Sequence, residues 1–142
     1  MTGQASSSCN QEAETAVCQR TVLIVEDELL IRMVLADTLL DEGYEVIEAG
    51  NVLEAVGILG QRKIDAVITD IDMPGDLSGL DLARMISDTH MHVPVIVASG
   101  RHRPLPDELP GDAVFVAKPY GMEAMAVIVG DMTSEEGRRL AR

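Results

Sequence analysis

Ile64-Asp65-Ala66-Val67-Ile68-Thr69-Asp70 is a short run rich in β-branched residues that ends on a carboxylate. The same design recurs along the chain. Thr21-Val22-Leu23-Ile24-Val25 ends at Glu26-Asp27, Val93-Pro94-Val95-Ile96-Val97-Ala98 ends at Ser99, and Ala113-Val114-Phe115-Val116-Ala117 ends at Lys118. Such runs read as strands. If they are parallel strands of one sheet, Glu26, Asp27, Asp70, Ser99 and Lys118 meet at its carboxyl edge, where open α/β sheets bind ligands. Three carboxylates, one hydroxyl and one ammonium together describe a cation-assisted phosphoryl acceptor.

Outward from these runs, strand-like and helix-like segments alternate, which argues for βαβ units and a parallel sheet covered on both faces. The runs near Leu23, Val67 and Ile96 are almost continuously apolar, as strands buried on both sides require. A first helix is expected from Glu28 to Asp41, stopped by Gly43, and a second strand over Tyr44–Glu48. Asn51 offers an N-cap with Glu54 three residues on, and Val52, Ala55, Val56 and Leu59 form an apolar stripe that Gly60 can end. The third helix begins near Gly79 and turns Leu82, Ala83 and Ile86 inward. The fourth crossover differs. Pro104, Pro106 and Pro110 each remove a backbone donor, so no full helix forms there and at most one short turn follows Pro106. The last helix starts near Gly121. Met122, Met125, Ala126 and Val129 line one side while Ala124, Val127 and Ile128 fill the other, so it is expected to be covered twice.

The chain has 142 residues, enough for one domain with a full core, and 46% of them are apolar with only 2% aromatic, so that core is aliphatic. A net charge of −13 argues against direct nucleic-acid binding and against docking on anionic membranes. It also favours a bound divalent cation or a basic partner. No stretch is long enough to span a bilayer, and the first residues lack a secretory signal pattern. Residues 1–19 read as a flexible tail holding Cys9 and Cys18, taken as free thiols; 20–136 form the domain and 137–142 a polar end.

Glu26 and Asp27, adjacent acids after a buried strand, repel each other unless a cation sits between them, and hard carboxylate oxygens suit Mg²⁺. Taken alone, the pair also fits a solvated loop. Asp70 can attack a phosphoryl group only if its charge is neutralised, and Glu26, Asp27 and Asp70 around one metal would do that. Pro74 and Gly75 would turn the following loop so that a backbone carbonyl near Asp72 faces the metal. Lys118 precedes Pro119, where the bond can be cis, and its ammonium can meet a phosphate oxygen. Ser99 can donate its hydroxyl to the same phosphate.

Glu26-Asp27, Asp70-Ile71-Asp72-Met73-Pro74-Gly75, Ala98-Ser99-Gly100 and Lys118-Pro119-Tyr120 resemble the motifs of the receiver domain of two-component response regulators, over roughly Thr21 to Met132. The resemblance implies a flavodoxin-like (βα)₅ doubly wound sheet of strand order 2-1-3-4-5, here with a degraded fourth helix. It implies that Asp70 is the phosphoacceptor for a histidine kinase or histidine phosphotransfer protein. Mg²⁺ would be held by Asp27 directly, Glu26 through water, Asp70, and the main-chain carbonyl of Asp72. Ser99 matches the switch hydroxyl, Lys118 the family's lysine and Phe115 the switch aromatic. Asp72 and Arg101 match the positions that flank attacking water. Their opposite charges suggest that they pair over the acyl phosphate and lengthen its life. Asp76-Leu77-Ser78-Gly79 is one residue longer than the common loop, and Gly100 replaces a frequent Ala.

The 22 residues after Tyr120 leave no room for an output domain, so the expectation is a stand-alone cytoplasmic receiver. It would not be a turnover enzyme, and it would act by contact with a downstream protein. The candidate contact face is built from the proline-rich segment, the last strand and the last helix. Met122, Met125 and Met132 could supply adaptable packing there, Met125 rather filling the core, and a homodimer could form through the last strand and helix. Asp70-Ile71-Asp72 is also similar to the nucleophile motif of haloacid-dehalogenase-like phosphatases. That motif normally lies on a first strand, whereas here it follows an acid pair on a third. A phosphorylation-independent adaptor keeping only the fold is a further alternative.

Overall fold

The computed structural model describes residues 19–89 and 92–134. The expected tail up to residue 18, with Cys9 and Cys18, and the polar end at 137–142 lie outside the described residues. In chain order the elements are β1 (Thr21–Val25), α1 (Leu29–Asp41), β2 (Glu45–Ala49), α2 (Val52–Gln61), β3 (Ala66–Asp70), α3 (Gly79–Asp88), β4 (Val95–Ser99), a 3₁₀ turn (Pro106–Glu108), β5 (Val114–Ala117) and α4 (Met122–Thr133). The strands form one parallel sheet of order β2-β1-β3-β4-β5. This is the doubly wound order expected from the sequence, with the fourth crossover reduced to the turn that Pro106 opens.

Alternation along the central strands divides the core. Leu23, Val25, Val67, Val95 and Val97 meet Val52 and Ala55 of α2 and Leu82, Ala83 and Ile86 of α3. Val22, Ile24, Ala66, Ile68 and Ile96 meet Leu35, Ala36 and Leu39 of α1 and Met125 and Val129 of α4. β1, β3 and β4 are buried at every position, which is why their sequences show no period of two. With only a 3₁₀ turn between β4 and β5, β5 is only half covered.

Element ends follow local chemistry. Gly43, at φ +98°, stops α1 in the left-handed conformation. Asn51 caps α2 by accepting the Glu54 amide at 2.8 Å, but the Glu54 carboxylate takes the amide of Gly50 rather than that of Asn51. α2 runs one residue past Gly60. The loop before α3 is closed by a capping box between Ser78 and Asp81. On α4, Met125 is fully buried and Met122 and Met132 are half-buried against the core, while Ala124 and Val127 stay exposed among the described residues.

Candidate phosphoryl-acceptor site

The register brings the strand ends level. Thr69 lies opposite Val25, Asp70 opposite Ala98, and Ser99 opposite Ala117. Glu26 and Lys118, each one residue past its strand, extend the ladder by donating their amides to Ala49 and Ser99. As a result, carboxylate oxygens of Glu26, Asp27 and Asp70 lie within 4.8 Å of one another. Glu26 and Asp70 are buried and Asp27 is exposed, so the cluster opens to solvent on one side. A cleft lined by these three acids also takes in Asp72, Met73, Pro74, Gly100, Arg101 and Lys118.

Lys118 supplies the one ammonium in that lining. Its Nζ is 3.1 Å from Glu26 Oε1 and 3.4 Å from Asp70 Oδ2. The Lys118–Pro119 bond is cis. Burial works against the charge of Lys118, but the Glu26 hydrogen bond and the Asp70 and Glu26 carboxylates outweigh it, and its pKa is raised. Asp70 is pushed up to about 6, chiefly by burial and also by the Glu26 charge, against the pull of Lys118 and of the Asp72 amide that donates to it. Burial likewise raises Tyr120, whose phenol feels the charges of Lys118, Glu26 and Asp70. Three acids facing one lysine leave a net negative charge on a shared point. That donor set fits a small hard dication held by few protein oxygens.

Ser99 is joined to this cluster indirectly. Its Oγ donates to Asp72 Oδ2 at 2.8 Å and accepts the amides of Arg101 at 3.1 Å and His102 at 2.8 Å. Asp72 and Arg101 both reach the cleft. The ion pairs of the described residues do not include an Asp72–Arg101 pair. Phe115 stands apart from the acids. It is half-buried against the α2–α3 side of the core, with the Arg103 guanidinium 5.7 Å from its ring centroid. The loop that Ser99 caps therefore also covers Phe115.

Two supports escaped the sequence reading. Arg32, on the first full turn of α1, donates from Nη1 to the Glu26 carbonyl at 2.8 Å and from Nε to Glu48 Oε1 at 3.0 Å. It thereby straps the acid-bearing loop to β2. Its sequence spacing gave no signal of these partners. Gly79 lies against Asp70 so closely that a Cβ would collide with the Asp70 carbonyl oxygen and lie 3.0 Å from Thr69 Oγ1. Its amide donates to the Ile71 carbonyl at 3.1 Å.

Comparison with known proteins agrees with this geometry. The family model described as the response regulator receiver domain matches residues 22–129. The chain is 39% identical over 114 residues to the transcriptional regulatory protein PdtaR of Mycobacterium tuberculosis (strain CDC 1551 / Oshkosh), covering 78% of this chain and 55% of that protein. It is 34% identical over 121 residues to the sensor kinase CckA of Brucella abortus (strain 2308), covering 82% of this chain but 13% of that protein. The chain thus spans about half, or far less, of the length of these relatives. Among solved structures, a response regulator receiver protein from Sinorhizobium medicae WSM419 superimposes with a TM-score of 0.76 at 24% identity, covering 84% of this chain and 97% of that one. The receiver domain of the hybrid histidine kinase CckA gives 0.66 at 30% identity, covering 80% and 99%. The chain belongs to the family of response regulator receiver domains.

Proposed function

We propose that Asp70 accepts a phosphoryl group from a phosphohistidine of a histidine kinase or histidine phosphotransfer protein. The observation that carries this reading is the convergence of the Glu26, Asp27 and Asp70 carboxylates within 4.8 Å, with the Lys118 ammonium beside them. An Asp70 oxygen forms the new bond to phosphorus as the bond from phosphorus to the donor nitrogen breaks. Glu26, Asp27, Asp70 and the Asp72 main-chain carbonyl would hold Mg²⁺, which neutralises charge on the carboxylates and on the transferring group when bound. Lys118 offers its ammonium to a phosphoryl oxygen, and Ser99 its hydroxyl to another. Water attacking phosphorus later releases inorganic phosphate and restores the carboxylate. The chain is in this view a consumable acceptor and not a turnover enzyme.

The output we infer is a phosphorylation-dependent contact of this receiver domain with a downstream protein in the cytoplasm. The net charge of −13 weighs against direct nucleic-acid readout. Ser99 and Phe115, joined by the Arg101–Arg103 loop, are the elements that phosphorylation would shift. A second copy could dock through β5 and α4, where Val114 and Val127 are exposed. Intact mass after incubation with acetyl phosphate and Mg²⁺ tests the acceptor. One phosphoryl adduct is expected on the native chain and none on Asp70→Asn. Many turnovers of a generic phosphate ester would instead favour a phosphatase, and no adduct a phosphorylation-independent adaptor.

A further inference from the structure

A serine hydroxyl has one proton to give and two lone pairs to fill. In Ser99 all three are committed: the proton to Asp72 Oδ2 at 2.8 Å, the lone pairs to the amides of Arg101 and His102. Ser99 is buried, so water does not compete freely for that proton, and the acceptor is a carboxylate, which makes the bond a strong one of its kind. Any anion arriving on Asp70 that needs the Ser99 hydroxyl must first take its proton from Asp72. From this we propose that Asp72 is a positioning residue that locks Ser99 in the unphosphorylated arrangement, its carboxylate competing with the phosphoryl group for the Ser99 hydroxyl. The proposal rests on the acceptor role of Asp70. It makes the carboxylate two residues past the nucleophile a brake on switching, distinct from any contact it makes with Arg101.

The brake predicts an energetic coupling between two side chains. Fluoroberyllate with Mg²⁺, a non-hydrolysable stand-in for the acyl phosphate, is titrated into each variant and followed by amide NMR. Asp72→Ala is expected to tighten fluoroberyllate binding roughly ten- to hundredfold, the worth of one hydrogen bond to a charged group. Asp72→Asn, which keeps an acceptor oxygen without the charge, should give a smaller gain. In the Ser99→Ala background the Asp72→Ala gain should shrink to what charge removal alone provides, and in the Ser99→Thr background, where a donor is restored, it should return. Equal gains in all three backgrounds would overturn the lock while leaving the acceptor reading intact. A native chain that binds no fluoroberyllate would remove both. Thermal melts of each variant identify any that fails to fold, and Ser99→Gly, which also lacks the hydroxyl, stands in for Ser99→Ala if that variant does.

Discussion

Lys118 holds its ammonium 3.4 Å from Asp70 Oδ2, reaching across the end of β4, the strand that separates theirs. The contact depends on register. Because Ser99 pairs with Ala117 and the Lys118 amide continues that ladder, the lysine emerges one residue beyond the sheet. Removing the ammonium should slow phosphorylation of Asp70 by acetyl phosphate roughly 10²-fold, as loss of one pre-positioned donor does. Intact-mass time courses of native chain and Lys118→Ala check this; equal rates would take Lys118 out of the transfer.

Asp70 carries a pH signature. Its carboxyl is pushed up to about 6 in the fold, against 3.8 for the free side chain. The protonated form is therefore favoured by folding. Its stabilising contribution is whole below the lower value and is lost as pH rises through the upper one. Without divalent cations, the native chain should lose stability relative to Asp70→Asn between about pH 4 and pH 6, by about 1–3 kcal/mol in all. Chemical denaturation across that range in EDTA measures the difference, and parallel curves would show that Asp70 ionises in the fold as it does when unfolded.

Gly79→Ala tests the closeness of α3 to the nucleophile. The added methyl would strike the Asp70 carbonyl, so α3 or the end of β3 must shift. A loss of about 1–3 kcal/mol in stability is expected, as for overpacked core sites. Mg²⁺ affinity should fall with it. Full stability in a urea titration would mean that the loop yields without cost.

Arg32→Ala cuts the strap between the Glu26 carbonyl and Glu48. Loss of these hydrogen bonds, about 1–2 kcal/mol, should lower the melting temperature by several degrees and, because the strapped loop carries two of the acids, weaken Mg²⁺ binding by up to roughly tenfold. Titration of Mg²⁺ by NMR gives the answer. An unchanged affinity would reduce Arg32 to a surface ion pair.

Much of this was legible in the residues. The near-continuous apolar runs gave away the buried strands, and the polar residue closing each run marked the edge that Glu26, Asp70, Ser99 and Lys118 share. The three prolines after Arg103 announced the missing helix. What stayed hidden were contacts that spacing does not encode. Asp72 and Arg101 carry opposite charges two residues past matching strand ends, which suggested a pair. In the structure the Asp72 carboxylate accepts from the buried hydroxyl of Ser99, a contact that the charges did not suggest. Gly79 gave no signal because the demand on it comes from the backbone of a different element, and Arg32 looked like any helical arginine until β2 and the acid loop were placed around it.

The thin covering of β5 has a consequence for how the molecule breathes. A lateral strand hydrogen-bonded along one side and roofed by no helix on one face has the least to lose by peeling away, so its amides should exchange with deuterium well before those of β4. Lys118 rides at the end of that hem. Each brief detachment would carry the ammonium off and leave Asp70 alone with its fellow acids, so the chemical readiness of the nucleophile is tied to the seam holding the outermost strand in place.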